Sequence, residues 1–301
     1  MNLIECIINR IKKQFKNKKI MEIRKQYLEN DEYYHDIVAK KTIFLHHTAG
    51  SHRPDWVVSS WDRDKTKSGG VRHIATAYVI GGKSTRDGNV DFDGVIVECL
   101  PPKEWAHHLG IRARNNVRLN QESIGIEICN YGPLTKKGDE YFNYVNGKVP
   151  ASDIIDLGYE FKGYRYYHAY TPAQIKATKE LVTKLGKDFN INISKGMKIL
   201  LDGPSVMPEN LDTLGKQKWL NEQGYIGGNG KILAEDGLAG GSTSNTNYAI
   251  DSYKEALKGE AFELNKQALA GAEGVWTHTN VRTDKYDLSP QPAMKEMIKS
   301  L

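Results

Sequence analysis

The sequence has few cysteines and no long apolar run, and each absence excludes a class of protein. Its 301 residues include only three cysteines, Cys6, Cys99 and Cys129, and none of them forms a CxxC spacing. Neither a disulfide framework nor a thiolate zinc finger is therefore expected, and synthesis in a reducing compartment is the mild inference. No apolar stretch approaches the roughly 18 to 20 residues of a membrane-spanning helix, so a transmembrane span is not expected.

The excess of positive charge is small. Lys and Arg (42) exceed Asp and Glu (37), which gives a formal net charge of +5. Such a balance suits an anionic partner such as a cell-wall polymer, a nucleic acid or a membrane surface, but it does not choose among them. No sequence motif of a nucleic-acid-binding fold accompanies the charge, so nucleic acid is not the expected partner.

Residues 1–30 are expected to form an N-terminal arm that begins with an amphipathic basic helix. In residues 1–19 apolar side chains recur at helical spacing, and Lys and Arg occupy most of the other positions. These charges interrupt and follow the apolar residues, unlike those of a secretory signal, so we expect synthesis in the cytoplasm without a signal peptide. The helix could dock on its own domain or contact a membrane surface. Met21 is an alternative start.

From about residue 40 the sequence pattern is typical of an α/β fold. Short β-branched runs bounded by Gly, Asp or Asn predict buried strands at 42–46, 75–80, 95–100 and 123–129. The segment 171–186 predicts a helix, because Thr171 can cap it, Pro172 occupies its first position and Gln174 completes a capping box.

Several polar residues occur where a buried strand would not favour them. The first strand ends in His46 and His47, whose side chains must point to opposite faces. Glu127 lies between two isoleucines, where an unpaired carboxylate would be costly. A second histidine pair occupies 107–108, and the short segment 278–287 contains a histidine, a lysine and an aspartate. Taken singly, each of these residues has a structural explanation.

Taken together, they supply the groups that zinc hydrolysis requires. Catalytic zinc takes three protein ligands and leaves one position for water, whose pKa falls to about 7. A separate carboxylate then removes the proton of the water, and a fixed cation stabilises the oxyanion. The ligands do not have HExxH spacing, so spacing alone does not establish a metal site.

The motifs HHTAG (46–50), TAYVIGG (76–82), WAHHLG (105–110) and SIGIEICN (123–130), with the later H…K-x-D, resemble the type 2 N-acetylmuramoyl-L-alanine amidases. This family includes phage endolysins and is related to the peptidoglycan recognition proteins. The resemblance covers about 40–190 and 274–298. It implies an α/β fold in which helices flank a central mixed β-sheet, with zinc at one end of the sheet.

The resemblance also implies roles for individual residues. The ligands of one Zn²⁺ per chain would be His46, His278 and Asp287. Glu127 matches the catalytic glutamate and Lys285 the oxyanion lysine. Residues that would line the substrate groove are His108, His47 and Thr48, although His47, on the opposite face of its strand, is expected to be mainly structural. Two departures are a changed turn after Asp287 and Thr76, which stands where some relatives have a catalytic tyrosine.

Residues 193–272 do not continue the α/β sequence pattern of the residues around them. They are expected to be inserted into a catalytic domain formed by 31–192 and 273–301. The core of this insertion, about 205–258, contains QKWLNEQGY (217–225), EDGLAG (235–240) and TNYAIDSYK (246–254). These segments resemble the three-helix peptidoglycan-binding modules of wall hydrolases. A helical lid with glycine-rich joints is the alternative.

The leading hypothesis is zinc-dependent hydrolysis of the amide bond between N-acetylmuramic acid and L-alanine in bacterial peptidoglycan. The enzyme would be a phage or prophage lysin, expected as a monomer, that acts at the cell wall or periplasm after release or as part of a phage particle. The alternative is a non-catalytic peptidoglycan recognition protein. Such relatives typically lack a zinc ligand, whereas all three candidates are present here.

Overall fold

The computed structural model describes residues 21–203, 207–227, 230–238, 246–258 and 260–301. The amphipathic helix predicted for residues 1–19, with its possible membrane contact, lies outside these ranges. Of the helices within them, none combines the length and the apolar character needed to cross a bilayer. The described chain contains two β-sheets, and the larger one positions the polar residues singled out above.

Eleven strands are described. In chain order they are β1 (Ile23–Lys25), β2 (Thr42–His47), β3 (Tyr78–Ile80), β4 (Ile96–Glu98), β5 (Ser123–Ile128), β6 (Pro133–Lys137), β7 (Glu140–Phe142), β8 (Lys148–Val149), β9 (Ile154–Phe161), β10 (Tyr164–His168) and β11 (Gly274–Thr277). The central sheet has the order β1-β4-β3-β5-β2-β11. Only β3 and β4 pair antiparallel in it, so the sheet is mixed.

The described helices are α1 (Pro54–Arg63), α2 (Asn116–Gln121), α3 (Pro172–Asp188), α4 (Met197–Asp202), α5 (Thr213–Glu222), α6 (Thr246–Lys258), α7 (Lys266–Ala270) and α8 (Pro292–Lys299). Helix α3 confirms the predicted capping box: the Thr171 hydroxyl accepts from the Gln174 backbone N–H, and the Gln174 side chain accepts from the Thr171 N–H. The α/β fold with a helix-flanked mixed sheet is therefore confirmed.

A second sheet, with the antiparallel order β8-β7-β6-β10-β9, occupies residues 133–168. No local pattern in the sequence predicts these strands, because they are largely exposed and lack the apolar runs of the central sheet: Asp156, Gly158 and Glu160 of β9 all face solvent. One local signal was available in the sequence, the pair Lys162-Gly163. In the structure both residues have positive φ, 51° and 81°, and they form the two-residue turn between β9 and β10, as in a type I′ hairpin.

The region 193–272 contributes to two separate hydrophobic clusters. Met197, Phe262 and Ala268 are buried with the strands of the central sheet in the main core. A second cluster is composed of Leu220, Tyr225, Leu233, Ala249, Ile250 and Tyr253. The main core therefore includes both ends of the region and also Ile226, and the separate cluster is formed by other residues between the two ends.

The side chain of Gln217 ties together the segments around the second cluster. It is fully buried, and its amide nitrogen donates to Asp236 Oδ1 at 3.1 Å and to Thr246 Oγ1 at 3.2 Å. Its carbonyl oxygen accepts from the backbone N–H of Gly237 at 2.9 Å. These residues belong to the motifs that resemble a peptidoglycan-binding module, of which Gly240 lies outside the described residues. The module itself stays a prediction.

Candidate metal centre and catalytic cleft

Parallel strands bring the chemically active residues to one edge of the central sheet. His46 on β2 is the register partner of Glu127 on β5, so the two side chains leave the sheet on the same face. On the other side of β2, strand β11 pairs in parallel and ends at Thr277, directly before His278. The carboxyl ends of parallel strands meet at one edge, which places His278 beside His46 although 232 positions separate them.

Three buried atoms converge at this edge. His46 Nδ1 lies 3.1 Å from His278 Nδ1 and 3.3 Å from Asp287 Oδ2, and the remaining distance, from His278 Nδ1 to Asp287 Oδ2, is 2.9 Å. A tetrahedral zinc ion with bonds of about 2.0–2.1 Å holds its ligand atoms roughly 3.3–3.4 Å apart. The triangle is only slightly contracted from this geometry, and its two imidazoles and one carboxylate are common zinc ligands. The residues therefore fit a zinc ion.

Hydrogen bonds on the far side of both imidazoles leave the converging nitrogens free to bind a metal. His278 Nε2 lies 2.8 Å from the carbonyl oxygen of Leu109 and must carry the proton that it donates, so Nδ1 has a lone pair. His46 Nε2 lies 3.0 Å from His108 Nδ1, and His108 Nε2 lies 2.8 Å from Ser123 Oγ. Burial lowers the pKa of His46 to about 4, which keeps its ring neutral near pH 7.

His108 is therefore placed behind His46 as well as at the wall of the cleft that the sequence analysis predicts. Its ring lies against β5, where Gly125 leaves room for it. A Cβ at Gly125 would lie 3.0 Å from His108 Cγ and 2.8 Å from Thr76 Cγ2. The contact of His108 with His46 has no signature in the local sequence, because the two residues lie on separate segments that only the fold brings together.

His47 and Thr48 follow His46 but have different surroundings. His47 is buried, and its Nδ1 is hydrogen-bonded to the Tyr170 hydroxyl at 3.1 Å. Gly132 packs so closely on the same ring that a Cβ there would lie 2.5 Å from Nε2. Thr48 is partly exposed, and its hydroxyl accepts from the Asn130 N–H. Both residues border the cleft, and their contact with substrate stays a prediction.

Glu127 carries a buried oxygen without a partner among the described residues, Oε2. Burial, and then the nearby Asp287 carboxylate, raise the pKa of Glu127 well above its usual range. An unpaired buried carboxylate oxygen is unfavourable unless a ligand, ion or water pairs with it. Glu127 and Lys285 both line the cleft that contains the three converging atoms. The arrangement can accept a proton and place a positive charge beside a bound metal.

The cleft has a volume of about 510 Å³. Besides the predicted site residues it is lined by side chains that the sequence analysis does not identify, among them Trp61, Tyr131, Tyr144, Tyr164 and Arg282. Two of them, Tyr144 and Tyr164, come from the second sheet. The signal available in the sequence was the frequency of tyrosine between residues 131 and 170.

Comparison with known proteins identifies the family of the chain. The family profile of N-acetylmuramoyl-L-alanine amidase matches residues 37–203, more than half of the chain. Among solved structures, the chain is similar to the N-acetylmuramyl-L-alanine amidase AmiD from E. coli, solved with an anhydro-muramoyl peptide substrate, at 17% identity and a TM-score of 0.34 over 88% of this chain and 89% of that one. PlyL matches at 16% identity and 0.34 over 58% and 78%.

The peptidoglycan recognition protein SD of Drosophila is also similar, at 15% identity and a TM-score of 0.32 over 58% of this chain and 80% of that one. No curated protein matches the sequence significantly. The family match spans β2 to β10 and α1 to α4, and with them His46, His108 and Glu127. The chain therefore belongs to the N-acetylmuramoyl-L-alanine amidase family.

Proposed function

We propose that this protein is a zinc-dependent amidase that hydrolyses the bond between the lactyl group of N-acetylmuramic acid and L-alanine in peptidoglycan. One observation carries the proposal: the zinc-compatible triangle of His46, His278 and Asp287 shares a cleft with the unpaired Glu127 carboxylate. Membership of the amidase family supports the substrate class.

His46 Nδ1, His278 Nδ1 and Asp287 Oδ2 would hold the metal, and one further position would face the cleft. A bound zinc ion supplies Lewis acidity, which lowers the pKa of water and polarises a carbonyl group. His108 and the Leu109 carbonyl keep the two imidazoles neutral and correctly oriented through the hydrogen bonds described above.

Glu127 is the proposed proton acceptor. It takes a proton from the attacking water at Oε2 and then delivers a proton to the leaving nitrogen of L-alanine, which departs as a free amine. The raised pKa favours the protonated form that must persist between the two steps, whereas the positive charge of Lys285, and that of a bound metal ion, would favour the carboxylate that begins the first step. Lys285, which lines the same cleft, stabilises the negative charge that develops on the carbonyl oxygen.

The wider role is proposed from the sequence resemblance. We propose a lysin of phage or prophage origin that is made in the cytoplasm and reaches the cell wall after release or within a phage particle. Residues 31–192 and 273–301 would form the catalytic domain. The separate hydrophobic cluster between Leu220 and Tyr253 supports a folded wall-binding unit within the insertion.

The test is cleavage of a soluble muramoyl pentapeptide by the zinc-loaded chain, followed by detection of the new L-alanine amine. We expect turnover by the wild type and almost none by Glu127→Gln, which keeps the shape of the side chain. Glu296→Gln, a change of an exposed glutamate in α8, is the matched control and should retain full activity. Tight binding of the peptide without any cleavage by the zinc-loaded wild type would instead indicate a recognition protein.

A further inference from the structure

The catalytic cleft continues along helix α1 into a second cleft of about 720 Å³. Both clefts are bordered by the same five residues, Thr48, Ala49, Trp61, Glu127 and Tyr144. Glu127 therefore lies where two arms of one groove meet. If the proposed function holds, the substrate extends from the scissile bond in two directions, with the glycan on one side and the stem peptide on the other.

The two arms differ in their chemistry. The arm along α1, named here the α1 arm, is lined by three aromatic residues, Trp56, Trp61 and Tyr144, and by the serine hydroxyls of Ser51, Ser59 and Ser60. Besides the shared Glu127, its charged side chains are Asp55, which is paired with Arg53, and Arg63. The other arm has aromatic rings too, but among the described residues it contains no serine and more charged side chains, among them Arg282, Asp284 and Lys285. Aromatic rings interleaved with hydroxyls suit the apolar face and the hydroxyl rim of a sugar. Charged side chains suit the carboxylates and amine of a stem peptide.

Trp56 is held in place on the α1 arm. The guanidinium of Arg53 lies 4.4 Å from the centre of the Trp56 ring and 4.9 Å from that of Phe92, and Asp55 fixes it there through two hydrogen bonds. Trp56 nevertheless keeps 56% of its surface exposed. A large aromatic ring that is fixed and exposed on a cleft wall is typical of a binding surface.

Tyr144 lines the same arm and is presented in a similar way. It is 69% exposed, on the loop that joins β7 to β8. The buried side chain of Asn143 holds this loop, because its oxygen accepts from the backbone N–H groups of Val145 at 3.1 Å and Gly147 at 2.7 Å. A Cβ at Gly147 would lie 2.8 Å from Asn143 Nδ2, so a larger residue there would displace the Asn143 side chain. The second sheet thus supplies a positioned aromatic ring to the groove.

We propose that the α1 arm is a glycan subsite, in which Trp56 and Tyr144 stack on a neutral sugar adjacent to the muramoyl group. The stem peptide then occupies the arm that contains Arg282 and Lys285. This inference rests on the proposed function for its substrate. It adds a prediction of its own, namely that the enzyme senses the length of the glycan and not only the muramoyl peptide.

The test compares two soluble substrates with the same stem peptide. One has a single N-acetylmuramic acid, and the other carries the peptide on the internal muramic acid of a tetrasaccharide of alternating N-acetylglucosamine and N-acetylmuramic acid. Trp56→Ala should lower kcat/KM for the tetrasaccharide about tenfold and for the monosaccharide less than twofold. Tyr144→Ala should lower both values, because its ring also borders the catalytic cleft, with the larger loss for the tetrasaccharide. Tyr144→Phe, which keeps the ring, and Val145→Ala, a change of its exposed neighbour, should behave as the wild type.

Equal losses on both substrates, or losses that follow the length of the peptide, would overturn the assignment of the arm. If the wild type cleaves neither substrate, the proposed function fails and the subsite is tested by calorimetric titration with the peptide-free tetrasaccharide. Binding that Trp56→Ala weakens about tenfold supports the subsite. No binding by the wild type, or equal binding by the variant, overturns it.

Discussion

Substituting Gly125 by alanine should weaken zinc binding, because the new methyl group would displace the ring of His108. The new Cβ would lie 2.8 Å from Thr76 Cγ2 and 3.0 Å from both Cγ and Nδ1 of His108. Ordinary contacts between carbon atoms are about 3.5–4.0 Å, so these neighbours must retreat by roughly 0.5–1 Å. His108 Nδ1 is the hydrogen-bond partner of His46 Nε2 at 3.0 Å. A displacement of this size removes most of that hydrogen bond.

Two magnitudes follow from this displacement. Loss of a hydrogen bond that orients a zinc-binding histidine lowers metal affinity about 10- to 100-fold, or roughly 1.4–2.8 kcal/mol. The overpacked core should also lose about 1–3 kcal/mol of unfolding free energy. Gly50→Ala is the matched control in the loop after β2, because its Cβ would meet nothing closer than 3.5 Å.

The assay is competition for zinc with a chromogenic chelator, alongside urea unfolding of the metal-free proteins. We also expect that the loss of affinity caused by Gly125→Ala disappears in a His108→Ala background, where the clash with His108 and the hydrogen bond are both gone and only the contact with Thr76 remains. Wild-type zinc affinity in Gly125→Ala, or an equal loss in the two backgrounds, would refute the role given to His108.

Three further predictions follow from the site and the insertion. Glu127→Gln should retain zinc, measured by metal analysis, but lose about 10²- to 10⁴-fold in kcat because the proton acceptor is gone; near-normal cleavage would assign that role elsewhere. Lys285→Ala should also retain zinc and lose about 10²- to 10³-fold in kcat if it stabilises the oxyanion. Gln217→Ala removes the four hydrogen bonds of a fully buried side chain and should weaken sedimentation with insoluble walls, while cleavage of the soluble muramoyl peptide stays unchanged.

The elements that could be predicted from the sequence are those whose signals are local. The strand at Thr42–His47 is fully buried and reads as one apolar run, and Thr171 with Gln174 specifies the start of a helix within four residues. The second sheet could not be predicted in this way. Its strands are short and half-exposed, so their side chains carry little of the apolar periodicity on which strand prediction depends.

The residues of the candidate site likewise divide into those with a local signal in the sequence and those without one. Glu127 was recognisable because a carboxylate in an apolar strand needs a partner or a function. His278 could be connected to His46 only through the family resemblance, since the pairing of β2 with β11 is a property of the folded sheet. The hydrogen bond from His46 to His108 and the position of Tyr144 depend on packing between distant segments, and no local pattern encodes them.

The central claim is that His46, His278 and Asp287 bind one zinc ion, and metal content tests it most directly. The wild type and His278→Ala should be purified, loaded with zinc, dialysed against a weak chelator and analysed by mass spectrometry of the metal. We expect about one zinc ion per wild-type chain and almost none in His278→Ala. Full occupancy in His278→Ala, or a wild type that does not retain zinc, would contradict the account.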